Sequence, residues 1–505
     1  MRFLFLTPST QTASDKISIS VATPTKAARL QYRSAKPWSD LPIRQRCKTV
    51  AAARFLIARH VDDLTRLCAS QQRTDSLETV TAELIPLCDA LHYLGRKGAA
   101  ILRTRRIGVV GRPLWMWGVH SVVQRIPHGT VLILGTWNYP LFLVGVQVAQ
   151  ALAAGNRVQL KPAEGCETLT RRLVECFYEA GVPRDVLVQL DSSVEAARET
   201  LDNTSTDSGD PRIDLVVLTG SADTGRKILK QTANSLTPSI MELSGCDAVV
   251  VLPGASIPRV CEFLKFGLPL NSGATCIGPR RIIVEDSPQA DQLVENLCRQ
   301  LESIDTPFTI HPAARERATQ TITNAIAAGA IDVTDRFDAA TLASNGTMPP
   351  LVLDHVSVED EIASADLFAP VTSVIRVSKI QDAVAAINQN RYRLAASVFG
   401  PDRDAVAFAN QLDVGSVAIN DLIAPTADPR VPFGGRGNSG FGITRGDEGL
   451  LAMTVPRVIS RRRGRFAAHL LPRNETTRHK MPILLQLLHA KGMAARWRAM
   501  RRLIS

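Results

Sequence analysis

No stretch of this 505-residue sequence reaches the roughly 18 uninterrupted apolar residues of a membrane-spanning helix, so no spanning segment is expected. The apolar start, Met1 to Leu6, gives way to Thr7-Pro8 too soon to form a signal-peptide core, and no secretion is expected either. The nine cysteines (47, 68, 88, 166, 176, 246, 261, 276 and 298) are odd in number and include no CxxC pair. That argues against a disulfide framework or a zinc site and for reduced thiols in a cytoplasmic setting, and no metal is expected. Acidic residues are scarce at the end of the chain. Residues 457 to 505 hold thirteen Lys or Arg against one acid, Glu475, a net +12, so of the total +11 the first 456 residues carry −1. The body is therefore nearly neutral, which argues against a nucleic-acid partner. What is present, 45% apolar and 21% charged residues, is the composition of an ordinary folded protein. The length calls for two or three lobes, each with its own core.

Residues 24 to 104 show apolar positions three and four apart with few glycines, which predicts helices over Ile43 to His60, Asp75 to Tyr93 and Arg96 to Arg103. Arg106 to Val123, spaced by Gly and Pro, reads as extended chain or a hairpin. From residue 125 strands (Val131 to Leu134, Arg157 to Leu160, Val186 to Leu190, Asp214 to Leu218) alternate with helices (Pro140 to Ala154, Glu167 to Ala180, Ser193 to Leu201). Such alternation predicts an α/β fold, a parallel sheet with helices on both faces. The polar run Asn203 to Pro211 reads as a surface loop. A strand at Pro238 to Glu242, an apolar run at Ala248 to Leu252 and a helix at Pro258 to Leu268 follow.

In such a sheet ligands bind outside the carboxyl ends of the strands, which here are followed by Gly135 to Pro140, Lys161 to Glu164 and Thr219 to Gly225. The last opens a helix with two glycines and hydroxyls, where a pyrophosphate would meet free N–H groups, although its spacing is GxxxxG and not the dinucleotide GxGxxG. Lys161 with Glu164 suits a ribose, the ammonium donating and the carboxylate accepting; a solvated ion pair is the plainer alternative. Met241-Glu242-Leu243-Ser244-Gly245 ends a later strand, and Asn271 to Arg281 surrounds Cys276 with small residues that let backbone amides approach a reacting atom. Taken alone, that loop fits a nucleophile or a buried free thiol.

In this order and spacing, these segments resemble the motifs of the aldehyde dehydrogenase superfamily. Asp366-Leu367-Phe368-Ala369-Pro370-Val371, Ala395 to Asn420 and Pro432 to Gly442 are similar to its later motifs, so the resemblance covers about residues 25 to 456. It implies a Rossmann-like cofactor domain, an α/β catalytic domain and a small β oligomerisation element. The implied division is 1-243, the helical region and NAD-binding domain with a bridging hairpin near 105-125; 244-420, the catalytic thiol domain; 421-456, a return to the cofactor and oligomerisation elements; and 457-505, a basic tail with an amphipathic helix. The implied reaction oxidises an aldehyde to the acid with NAD(P). Cys276 would form the thiohemiacetal and then the thioester, Asn138 and the Cys276 N–H would hold the oxyanion, and Glu242 would activate water. Lys161 and Glu164 would hold the adenine ribose, Gly220, Ser221 and Gly225 the pyrophosphate, Trp137 and Leu243 the nicotinamide end, and Asp366 with Phe368 the nicotinamide ribose. Glu164 favours NAD and leaves NADP open.

A homodimer is expected, and the class 3, fatty-aldehyde branch is the most similar. Two other readings are a CoA-acylating relative, against which Glu242 speaks, and a degenerate scaffold protein, against which the filled catalytic positions speak. Ala274, Ser244 and Asp366 depart from the family's usual residues. Residues 482 to 504 read as one helix with Met493, Trp497, Met500 and Ile504 on one face and Lys491, Arg498 and Arg502 on another, the pattern of a helix lying on a membrane surface or docked on the body.

Overall fold

Runs of β-branched and leucine residues become strands buried on both faces. Val131 to Leu134 lie in Thr130–Leu134, which pairs in parallel with Arg157–Lys161 on one side and Leu215–Gly220 on the other. A strand flanked in this way by crossover helices needs apolar residues at every position. Leu187–Gln189 and Ser239–Leu243 extend the sheet in parallel, and Gly440–Phe441 adds a short antiparallel edge beside Ser239–Leu243. The helix Phe142–Ala154, buried along its whole length, returns the chain from the first strand to the second and ends where Gly155 takes φ +103°. The computed structural model describes residues 37–202, 212–465 and 467–504; the expected loop at 203–211 and the apolar start lie outside them.

A second, seven-stranded sheet uses residues 247 to 419 and is parallel except at its edge, where Ile331–Asp332 runs against Leu351–Asp354. The cysteine loop lies between the helix Ile257–Gly267 and the strand Pro279–Glu285 of this sheet. A third sheet joins Arg105–Arg106, Val119–Pro127 and Thr454–Arg462, all antiparallel. Its last strand crosses the expected division at 456/457.

Two expectations change. The N-terminal helix does not divide between Tyr93 and Arg96: Ile85–Ile101 is continuous. A Cβ on Gly95 would come within 2.7 Å of the Ala51 Cβ, so this glycine permits close packing on Ile43–Arg59 and does not end the helix. A further helix, Val61–Cys68, precedes it. The C-terminal segment is not one helix over 482 to 504 but two, Glu475–His489 and Met493–Ile504, packed on each other; Gly492, at φ +89°, makes the break.

The helix Glu167–Glu179 seats Phe177, with no exposed surface, in the core behind the first sheet. Phe177→Ala is expected to lower the unfolding free energy by about 3 to 5 kcal/mol in guanidinium titrations. A loss below about 1 kcal/mol would contradict that placement.

Candidate active site

The loop before Cys276 is folded into a conformation that large residues would resist. Asn271 and Ser272 both have φ +54° and Gly273 has φ +77°, three successive left-handed residues. Each non-glycine residue of that kind costs roughly 1 to 2 kcal/mol, so surrounding contacts must enforce the turn. They are present. The Asn271 side-chain amide donates to the Asn138 carbonyl at 2.7 Å, Ser272 Oγ donates to Gln72 O at 2.5 Å, and the Tyr139 and Thr275 hydroxyls meet at 2.7 Å. From below, the buried Arg280 guanidinium donates to Gly273 O at 2.6 Å, Ala369 O at 2.9 Å and Thr275 O at 3.2 Å. Cys276 itself stays partly exposed between buried Thr275 and Ile277, and packs against the small cluster of Ile277, Leu394 and Phe433. A Cβ on Gly245 would lie 2.3 Å from the Cys276 carbonyl oxygen, so the end of the Glu242 motif can approach the thiol loop only as glycine.

Asn138 is buried against this loop. Its Nδ2 donates one hydrogen to Ala274 O at 2.9 Å, while Oδ1 accepts from Thr136 Oγ1 at 2.6 Å and from Tyr139 N at 3.1 Å. The second Nδ2 hydrogen remains for a ligand, and no acceptor among the described residues takes the Cys276 N–H. Two residues not anticipated from the sequence hold Asn138 in place. Arg73 donates to the Asn138 carbonyl at 2.7 Å and forms a buried ion pair with Glu83. Glu83 in turn accepts from Leu141 N at 2.6 Å and Phe142 N at 3.0 Å, at the start of Phe142–Ala154. Glu83 lies in a π-helical turn, Val80–Leu84, for which the sequence carries no visible signal.

Glu242 is buried on the strand Ser239–Leu243 and accepts from Thr444 Oγ1 at 3.2 Å through Oε2, while Oε1 has no partner. Burial pushes its pKa up; Arg445 and the Thr444 hydroxyl pull it down. The Cys276 thiol is pushed well above its ordinary value by burial first, then by Glu242, Asp247 and Asp366, with Arg445 opposing. The Glu242 carboxyl and the Cys276 thiol are thus electrostatically coupled.

The residues expected to hold a cofactor line the carboxyl edge of the first sheet. Lys161 is level with Leu134, Leu218 and Met241, and Gly220 is level with Leu243. Lys161 and Glu242 lie on strands three spacings apart, about 14 Å at ordinary strand separation, a span suited to an extended dinucleotide. Ser221 caps Ala222–Thr232 by accepting from Thr224 N at 3.1 Å, and Gly225 keeps the first turn of that helix close to the Leu243 side chain. Lys161, half-buried, has its pKa lowered by burial against the pull of Glu164, which is exposed. Trp137 meets Phe368 edge-on at 5.6 Å. It also stacks on His311 at 4.0 Å, a residue the sequence gave no reason to include. Asp366 is buried, ion-paired to Arg280 at 3.3 Å, and its Oδ2 lacks a partner, an acceptor that fits a ribose hydroxyl. Burial raises Asp366 to about 6. The residues present therefore fit NAD(P).

A family model described as the aldehyde dehydrogenase family matches residues 2–459. The chain is similar to 4,4'-diapolycopene aldehyde oxidase of Methylomonas sp, with 29% identity over 84% of this chain and 79% of that one. It is also similar to the NADP(+) succinate-semialdehyde dehydrogenase of Deinococcus radiodurans, with 28% identity over 84% of this chain and 87% of that one. Among solved structures, a Mycobacterium tuberculosis aldehyde dehydrogenase complexed with NAD+ superposes with a TM-score of 0.75 at 28% identity, covering 84% of this chain and 86% of that one.

The geometry predicts two outcomes. Glu83→Gln breaks a buried ion pair and is expected to lower the unfolding free energy by about 3 to 5 kcal/mol; a change below about 1 kcal/mol would mean that the pair does not hold this region. Gly245→Ala is expected to displace the Cys276 carbonyl and to reduce turnover at least about a hundredfold with the fold retained by circular dichroism. Unaltered turnover would show that the close approach is not needed.

Proposed function

Since the chain belongs to the aldehyde dehydrogenase family and oxidises an aldehyde to the carboxylic acid with NAD(P), we propose that Cys276 is its nucleophile, Glu242 its general base and Asn138 its oxyanion donor. The observation on which this rests is the convergence of a partly exposed thiol, a free Cys276 N–H, a spare Asn138 amide hydrogen and a buried carboxylate with an unpartnered oxygen. Cys276 sulfur attacks the aldehyde carbon, and the oxyanion is held by the Cys276 N–H and Asn138 Nδ2. Bound NAD(P) supplies the hydride acceptor. Glu242 then takes a proton from the water that attacks the thioester, and the acid leaves as the thiol is restored. Trp137, Lys161, Glu164, Gly220, Ser221, Gly225, Leu243, Asp366 and Phe368 hold the cofactor, with the exposed Glu164 carboxylate disfavouring a 2′-phosphate and so favouring NAD.

The substrate is proposed to be hydrophobic. A narrow cavity beside the site is lined by Ala90, Leu94, Phe142, Val146 and Leu450, with Arg445 in its wall. Exposed Val455, Val458 and Ile459 on the edge strand Thr454–Arg462 support a homodimer paired through the third sheet. The nine free thiols support a cytoplasmic location. No helix among the described residues is long and apolar enough to cross a membrane. The C-terminal helix pair nevertheless exposes Met493, Trp497 and Ile504 beside its arginines, which supports a peripheral contact with anionic lipid.

NADH formation with short, aromatic and long-chain aldehydes is expected to be fastest with the hydrophobic ones and to vanish in Cys276→Ala; turnover surviving that substitution would overturn the mechanism. Because Glu242 accepts a proton only when ionised and burial raises its pKa, the rate should fall as pH drops through a limb above the usual carboxylate range. Glu242→Gln should abolish that limb and slow turnover about 10² to 10⁴-fold; a limb that persists would assign it to another group. In vesicle cosedimentation, a chain ending at Arg465, which keeps the whole third sheet, should lose binding to anionic lipid that the full chain shows. Equal partitioning rejects the membrane contact.

A further inference from the structure

Arg445 is only 5% exposed, and no carboxylate among the described residues lies within ion-pair distance of it. Its guanidinium donates to Thr426 O at 2.5 Å, its Nε has no acceptor, and its Cζ lies 4.1 Å from the ring centre of Phe433 and 5.3 Å from that of Phe142. Its backbone sits at φ +60°, a conformation a residue with a Cβ adopts only when neighbours enforce it. Those neighbours belong to the site. Thr444, the preceding residue, donates to Glu242 and exchanges both backbone hydrogen bonds with Phe433 (2.8 and 2.7 Å), which belongs to the apolar cluster that Cys276 packs against. A buried cation without a counter-ion is expensive unless it serves another charge nearby.

The acids facing Cys276 are Glu242, Asp247, which accepts from Ala395 N, and Asp366, while the buried cations Arg280 and Arg281 are engaged by Asp366 and by backbone carbonyls of Gly273, Thr275, Cys246 and Ala386. The Tyr139 hydroxyl is a further titratable neighbour, engaged with Thr275. We propose that Arg445 is a positioning residue of the reaction, whose guanidinium, buried without an ion-pair partner, supplies the positive field that lets Glu242 and Cys276 carry negative charge. The inference rests on the reading of Cys276 as nucleophile and Glu242 as base. In support, Arg445 opposes the upward shift of both, with Thr444 also acting on Glu242, and both in turn raise Arg445 against the effect of its own burial. A neutral side chain would fill the same space between Phe142 and Phe433 without that effect.

The test follows alkylation of Cys276 by iodoacetamide in the full chain, read by peptide mass across about pH 6 to 10. Arg445→Met is expected to move the midpoint up by at least about one unit, cutting the rate below the midpoint about tenfold. Arg445→Lys, which keeps the charge, should stay near wild type, and the acidic limb of kcat should move upward in Arg445→Met alone. Arg445→Gln replaces Arg445→Met if the latter loses its melting transition. Equal midpoints in wild type and the neutral variant, or a Lys variant shifted as far as the neutral one, would overturn the proposal. If Cys276→Ala is inactive while Arg445→Met leaves the midpoint unmoved, only the role of Arg445 falls; turnover in Cys276→Ala would remove the reading beneath it.

Discussion

The two largest sheets of this protein are locked together through Asn138. Its backbone carbonyl accepts from Asn271 in the thiol loop and from Arg73 in a loop between two N-terminal helices, while its side-chain amide donates to Ala274 O two residues before Cys276. One residue after the first strand thus ties the cofactor-side sheet, the helical region and the cysteine loop into a single piece. The placement of the Asn138 amide beside the thiol loop follows from those three bonds. Loss of any of them would free a loop whose left-handed residues are held only by their surroundings.

Around that lock the site is built from costs that offset one another. Three consecutive left-handed residues bring Cys276 forward, and Arg280 answers with three carbonyl contacts and an ion pair to Asp366. Asp366 is thereby drawn toward the scaffold, with one oxygen left for a ligand. Burial makes Glu242 a weaker acid and so a stronger base, and it discourages the thiolate. The same burial opposes the charges that the proposed reaction needs, which gives the buried Arg445 its significance.

Much of this was legible from the sequence because it is local. Val131 to Leu134 read as a buried strand and Pro140 to Ala154 as a helix from their own residues, and the order of short motifs around Trp137, Lys161, Glu242 and Cys276 pointed to one family. What escaped was long-range. Glu83 acts on Leu141 across 58 positions, and Ser272 on Gln72 across 200. Neither partner looks unusual in its own segment. His311 and Arg445 carry no motif and gain meaning only from the rings stacked on them. Gly95 and Gly492 show the converse, since one glycine that looked like a break is a packing surface and another, unremarked, splits the C-terminal helix.

The most direct test of the account is the intact mass of Glu242→Gln protein mixed with NAD+ and a hydrophobic aldehyde. The expected result is a mass increase equal to the acyl group, mapped to the peptide that contains Cys276, because the thioester forms while its hydrolysis is slowed. Sustained turnover with no adduct, or an adduct on any other residue, would contradict the central claim.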